Sequence, residues 1–257
     1  MTDPRTLRLA FCLFAYRPYG GLQRDFYRIA QCCAERGHRI HVFTMEWQGP
    51  VPENFNVEVL PVRRLRNHVR SRRFAALVAR ATRDQAFDVV TGFNRIPGVD
   101  IYYAADPCYV AKIRELHGPW YRLTARYRHF AAMEQALFSP QANTRILLLS
   151  EQERPRFIQY YHTPEARFRI LPPGIARDRQ APPDAQHIRA AFREEFKLGE
   201  RDRLLLMVGS GFRTKGLDRA IRALAALPED HGRRTTLMVV GEDNERPFQK
   251  LAARLGV

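Results

Sequence analysis

Lysine is nearly missing from this 257-residue chain, with only Lys112, Lys197, Lys215 and Lys250 present, although lysine and arginine together number 42. A net charge of +15 therefore rests on arginine. That charge calls for anionic partners and leaves nucleic acid, an anionic membrane surface and phosphorylated small molecules all open. Cysteine is also scarce. Cys12, Cys32, Cys33 and Cys108 show neither metal-ligand spacing nor a disulfide framework, so they read as small core residues of a reducing compartment. No apolar run reaches the roughly 18 to 20 residues of a membrane span. The start, Met1-Thr2-Asp3-Pro4, lacks the basic and apolar stretches of an export signal. A soluble cytoplasmic chain is the expectation. No repeat or low-complexity tract is present.

What is there is alternation. Short apolar runs rich in branched residues alternate with segments of helical period, the pattern of an α/β chain whose parallel sheet is covered by crossover helices. The pattern predicts strands near 7–15, 39–45, 57–61, 88–93, 100–104, 144–149, 168–171, 203–209 and 235–241. Helices are predicted near 22–36, 70–85, 109–116, 121–138, 151–161, 185–196, 216–227 and 245–255. Proline and polar residues crowd 172–184, which reads as a linker. The expected division is 1–178 and 179–257. Only two strands follow the linker, so the second unit reads as an incomplete domain with an unpaired sheet edge.

In such folds ligands gather at the carboxyl ends of strands. Gly20-Gly21 stands there, between the first strand and a helix, where backbone N–H groups could approach a phosphate, although a Gly-Gly turn also serves simply to connect the two. Asp25, one turn into that helix, would face the crevice or be a solvated carboxylate near a positive helix end. Asp106 ends the strand Tyr102-Tyr103-Ala104-Ala105 immediately before Pro107, as a carboxylate for a substrate hydroxyl or as an Asp-Pro turn. Arg213 and Lys215 lie in a strand-to-helix loop, where two cations suit a diphosphate leaving group.

Between Tyr109 and Phe138, Lys112, Arg114, Arg122, Arg126, Arg128 and His129 alternate with Tyr109, Trp120, Tyr121, Tyr127 and Phe130. Helical spacing from 121 to 138 would align Leu123, Tyr127, Phe130 and Leu137 as one apolar stripe beside Arg122, Arg126 and His129. Such a face suits anionic headgroups, and its apolar stripe equally suits a core. Eight further arginines lie between Arg63 and Arg83.

Several segments taken together resemble the lipopolysaccharide core glucosyltransferases of retaining glycosyltransferase family 4. They are Ala10-Phe11-Cys12-Leu13-Phe14, Pro18 through Phe26, Val90 through Gly98, Tyr121 through His129, and Ile170-Leu171-Pro172-Pro173-Gly174-Ile175. The resemblance covers essentially the whole chain. It implies a GT-B architecture of two Rossmann-like domains, an N-terminal acceptor-side domain and a C-terminal nucleotide-sugar domain. It implies transfer of glucose from UDP-glucose to heptose I of the lipopolysaccharide core, without a metal or other cofactor, at the cytoplasmic face of the inner membrane. By position it places Gly20 and Gly21 against the donor phosphate, Asp25 and Asp106 at the acceptor and glucosyl groups, and Arg179 and Lys215 at the UDP moiety. The 109–138 segment matches the membrane-interacting region.

Two departures stand out. Relatives carry arginine directly before the lysine of the diphosphate loop, whereas here Thr214 holds that place and the arginine is Arg213. Family members also continue past the position of Val257 through a glutamate motif, E-x7-E, that completes the donor site. The chain as given is therefore expected to hold part of a nucleotide site and to turn over weakly or not at all. Two other functions stay open: a non-catalytic basic module on an anionic membrane, and a family 4 transferase with another sugar donor.

Overall fold

The structure, a computed structural model, describes residues 5–62, 66–175 and 179–257. Two compact units emerge, Met1–Ile175 and Ala176–Val257.

In the first unit β1 (Arg8–Leu13), β2 (Arg39–Thr44), β3 (Phe55–Val59), β4 (Val89–Gly92), β5 (Ile101–Ala104), β6 (Arg145–Leu148) and β7 (Phe168–Ile170) form one sheet in the order β3-β2-β1-β4-β5-β6-β7. Every pairing is parallel, with Phe11 opposite Val42 on one side of β1 and Cys12 opposite Gly92 on the other. A parallel sheet has helices on both faces, so β1 is buried from Leu9 to Leu13. Its side chains nevertheless alternate. Leu9, Phe11 and Leu13 join Phe26, Ala30, Phe93 and Tyr103 in one core layer, while Ala10 and Cys12 join Phe74, Val78, Tyr102, Leu137, Phe138 and Phe157 in the other.

The first layer is closed by α1 (Gly21–Glu35), the second by α2 (Asn67–Asp84), α3 (Tyr109–Leu116), α4 (Ala125–Phe138) and α5 (Arg154–Tyr161). The expected helix over 121–138 is in fact two elements. A 3-10 turn, Pro119–Leu123, ends at Thr124, whose extended backbone (φ −69°, ψ 144°) breaks the period. The Thr124 hydroxyl then accepts the Tyr127 N–H at 3.1 Å and starts α4 afresh. Leu123 is consequently 67% exposed while Leu137 is buried, so the two do not share a face. Tyr127 packs against the core, and both it and Phe130 pair with the ring of Tyr109. The expected apolar stripe is thus divided between core and surface.

The second unit comprises α6 (Ala185–Glu195), β8 (Arg203–Val208), α7 (Phe212–Lys215), α8 (Leu217–Ala225), α9 (Glu229–Gly232), β9 (Thr235–Val240) and α10 (Arg246–Leu255). Among the described residues only β9 pairs with β8, in parallel. Phe212, Leu217 and Ile221 pack with Met207, Leu237, Val239, Phe248 and Leu251 on one side, leaving Leu205, Leu206, Val208 and Val240 exposed. The short α9 carries no apolar period and was not anticipated from the pattern.

Two predictions follow from this packing. Phe26 is buried among Phe11, Tyr16, Trp47, Phe55 and Phe93. Phe26→Ala should cost about 3–5 kcal/mol in denaturant unfolding of the chain. Tyr19→Ala should change it by less than about 0.5 kcal/mol, since Tyr19 is 96% exposed.

His41, on β2, places Nε2 3.1 Å from Glu58 and Nδ1 3.2 Å from the Asn56 amide nitrogen, an arrangement that suits a neutral ring donating to Glu58 and accepting from Asn56. Burial lowers its pKa despite the opposing pull of Glu58. A lowered folded pKa means that the unfolded chain takes up the proton first. The neutral ring therefore stabilises the fold above the unfolded value of roughly 6.5, and this contribution is lost as pH falls from there through the folded value. The thermal midpoint should fall between pH 7.5 and 5.5, and His41→Gln should flatten that decline.

Candidate functional site

The strand order reverses at β1, which continues to β2 on one side and to β4 on the other. In parallel sheets loops diverge at such a reversal, the place where ligand crevices form at the carboxyl edge. Asn94, just past β4, accepts the Phe14 N–H with Oδ1 at 2.7 Å and ties the two loops together. Tyr16 stacks on Trp47 at 4.0 Å, and its backbone bridges to the chain after β2. The segment leading to Gly20 is thus held on both sides.

At Gly20 the backbone is extended (φ −79°, ψ 141°), and its carbonyl accepts the Arg24 N–H at 3.0 Å, beginning α1. The helix start has no side-chain cap and no acidic residue in its first turn. Among the described residues, the N–H groups of Gly21, Leu22 and Gln23 meet no protein acceptor. Gln23 folds back to Ala15, so that a Cβ on Gly20 would strike its Oε1 at 1.9 Å. A Cβ on Gly21 would meet nothing within 4 Å. Neither glycine is needed for its φ. Gly21 leaves open space before three free amides at a positive helix end, a combination that suits an anion.

Asp25, in the second turn of α1, accepts the Tyr103 hydroxyl at 2.9 Å. Burial and this carboxylate together raise the Tyr103 pKa, so the phenol stays a donor. Asp106 lies beyond β5 with a side chain 61% exposed, and Arg95 Nη1 reaches its Oδ2 at 3.1 Å. Strand β5 therefore connects the two carboxylates: Tyr103 holds Asp25 from within the sheet, and Asp106 follows three residues later. Sequence reasoning missed Asn94, Arg95 and Tyr103. The available signal was an Asn-Arg pair directly after β4, beside the strand-order reversal.

Within the second unit, Arg213, Thr214 and Lys215 are exposed on α7, which is anchored by buried Phe212 and flanked by Gly211 (φ +76°) and Gly216 (φ +84°). Asp243 accepts the Phe212 N–H at 2.7 Å. A Cβ on Gly241 (φ +157°) would lie 2.4 Å from the Gly209 carbonyl oxygen, so the loops after β8 and β9 touch backbone to backbone. The Lys215 stem passes over Gly209. Arg179 lies exposed at the start of this unit. A groove of about 920 Å³ between α8, α10 and β9 is largely apolar and is lined by neither Arg213 nor Lys215.

The basic segment is spread over α3, the 3-10 turn and α4. Lys112, Arg114, Arg122, Arg126 and Arg128 are exposed, with Arg114 over the Tyr160 ring and Arg126 over Phe130. Tyr121 stacks on His117 at 4.2 Å, and Tyr127 turns inward. Trp120 is 80% exposed, and Leu116 and Leu123 are exposed with it. The outward apolar residues are therefore those of the turn between the helices. No helix among the described residues is long and apolar enough to cross a membrane.

Comparison with known proteins bears on the family and the fold. The family model for Glycosyltransferase Family 4 matches residues 19–179, and that for Glycosyl transferases group 1 matches 188–257. Lipopolysaccharide glucosyltransferase WaaG of Escherichia coli K12 is 45% identical over 97% of this chain, which spans 67% of that relative's length. The crystal structure of WaaG, a glycosyltransferase involved in lipopolysaccharide biosynthesis, superposes with a TM-score of 0.90 at 44% identity, with the same shares covered. The crystal structure of Anabaena Alr3699/HepE in complex with UDP-glucose shares the fold, with a TM-score of 0.63 at 13% identity over 97% of this chain and 66% of that one. The fold is that of a glycosyltransferase with part of a GT-B architecture. The chain belongs to glycosyltransferase family 4.

The glycines separate fold from function. Gly21→Ala should leave stability within about 0.5 kcal/mol of the parent. Gly241→Ala should destabilise the second unit by about 1–3 kcal/mol, as read from the thermal unfolding of both variants.

Proposed function

We propose that this chain carries the acceptor side and part of the donor side of a retaining transferase that moves glucose from UDP-glucose to heptose I of the lipopolysaccharide core. Support comes from the relative named lipopolysaccharide glucosyltransferase, similar along 97% of the chain. The observation that carries the reading is the uncapped start of α1 at the strand-order reversal, where Gly21 keeps three amide donors open.

In this reading Gly20 and Gly21 lie against the donor diphosphate, whose other contacts include Arg179, Arg213, Thr214 and Lys215. The bond between glucosyl C1 and the β-phosphate oxygen breaks, and charge grows on the departing UDP. Amide donors and cations stabilise that charge without reorganising. The acceptor hydroxyl oxygen bonds to C1, and its proton passes to the released phosphate or to a carboxylate. Asp106 and Asp25 hold glucosyl and acceptor hydroxyls. No metal takes part in this scheme.

Trp120, Leu116 and Leu123, ringed by Lys112, Arg114, Arg122, Arg126 and Arg128, would rest on an anionic membrane at the cytoplasmic face. Their exposure favours this surface over the apolar stripe, and it also sustains the rival reading of a basic module that binds membrane without chemistry.

The test is transfer of labelled glucose from UDP-glucose to heptose-terminated core acceptor on anionic vesicles by the chain extended to the length of its relatives. Transfer should persist in EDTA, and Asp106→Asn should lower it by about 100-fold or more. Vesicle binding by a folded protein without transfer from any UDP-sugar would sink the enzyme in favour of the module. Transfer from a different UDP-sugar alone would replace the donor and keep the reaction.

A further inference from the structure

Asp106 stands outside the last paired residue of β5, so the sheet does not fix its side chain. Arg95 does. Its side chain is only 12% exposed, and the guanidinium donates through three different nitrogens: Nε to Glu134 Oε1 at 3.1 Å, Nη1 to Asp106 Oδ2 at 3.1 Å and Nη2 to the Pro107 carbonyl at 2.7 Å. The planar fork thus holds both the Asp106 carboxylate and the adjacent backbone in one orientation.

The fork is itself oriented from behind. Glu134, on α4, is completely buried yet has a full set of partners. Oε1 also accepts the Tyr109 N–H at 2.9 Å, and Oε2 accepts the Val110 N–H at 3.2 Å and the Tyr161 hydroxyl at 2.6 Å. Those amides are the first of α3, whose N-cap residue, Cys108, provides no side-chain cap. Glu153 accepts the Cys108 N–H at 2.9 Å. Burial works against the charge on Arg95, but Tyr102, Glu134 and Asp106 more than offset it and raise its pKa. A buried ion pair with every valence filled allows one arrangement, whereas one with a missing partner is costly.

We infer that Arg95 is the positioning residue for Asp106, and that Glu134, fixed by Tyr161 and the start of α3, sets the orientation of Arg95. This rests on the proposed role of Asp106. Among the described residues, Arg95 Nη1 is the only protein donor to the Asp106 carboxylate, and Oδ1 remains for a sugar hydroxyl. Displacing a substrate-orienting group by a fraction of its length acts on the transition state more than on donor binding.

Arg95→Lys keeps a cation beside Glu134 but cannot reproduce the fork. It should retain a cooperative thermal transition, lower kcat for glucose transfer by about 10- to 100-fold, and change KM for UDP-glucose by less than about 2-fold. In an Asp106→Asn background the same substitution should cause no further loss in kcat, because it acts through Asp106. Tyr161→Phe, which loosens Glu134 from the far side, should give a smaller loss that also vanishes in that background. Should Arg95→Lys fail to fold, the Tyr161→Phe pair carries the test. Losses that multiply with Asp106→Asn overturn the inference, as does unchanged kcat. These kinetics are read in the chain extended to the length of its relatives, and if that extended parent transfers no sugar, the proposed function falls. Crystal structures of the parent and Arg95→Lys then decide positioning alone: a displaced or disordered Asp106 carboxylate supports it, and an unmoved one overturns it.

Discussion

A parallel sheet sends the carboxyl ends of all its strands to one edge, and in the first unit the chain reverses its order of addition at β1. The candidate ligand site of that unit descends from this constraint. Loops after strands on the two sides of such a reversal part company, which is where parallel sheets place their ligand sites. Gly20-Gly21 begins α1 on one side of the reversal, and Asn94-Arg95 leaves β4 on the other. The Asn94 side chain joins the loops after β1 and β4. Strand β5, next in the sheet, adds Tyr103 and Asp106.

Electrostatics turn this edge into a candidate site. The α1 start has positive character and no internal acceptor for its first amides, while the α3 start has the opposite treatment. Its amides are consumed by Glu134 and Glu153, two carboxylates contributed from distant helical segments. One helix start is kept open and its neighbour is tightly closed. The closed one serves as the base on which Arg95, and through it Asp106, is built. In the second unit Arg213 and Lys215 are presented by a four-residue helix whose flanking glycines have positive φ, with backbone contact between Gly209 and Gly241 underneath.

Periodicity disclosed most of the architecture. The strands from β1 to β9 fall at or near the apolar runs, most plainly β1, whose burial from Leu9 to Leu13 leaves no place for polar residues and shows as an uninterrupted stretch. Helix α1 was similarly legible, its start marked by Gly20 and its apolar positions by Phe26 and Ala30. The break at Thr124 was less accessible. Aromatic and arginine residues on both sides of it keep a plausible helical spacing, and only the hydroxyl cap on the Tyr127 N–H shows where one turn stops and α4 starts. The outward face of the basic segment changed as a result, from a helical stripe to Trp120 and its neighbours.

The candidate site was legible in its strand-end residues. Gly20, Gly21, Asp25 and Asp106 could be selected because a carboxyl edge is a property of chain order, which sequence contains directly. Arg95, Glu134, Tyr103 and Tyr161 could not, since each acts through a partner 11 to 78 residues away. By itself, the sequence determined most of the elements, the strand ends at which a candidate site could be sought and how much positive charge the chain carries. Tertiary structure decided which of those charges are consumed by buried partners and which remain available. The physical reason is that hydrogen bonds and ion pairs act over a few ångströms in space, without regard to separation along the chain.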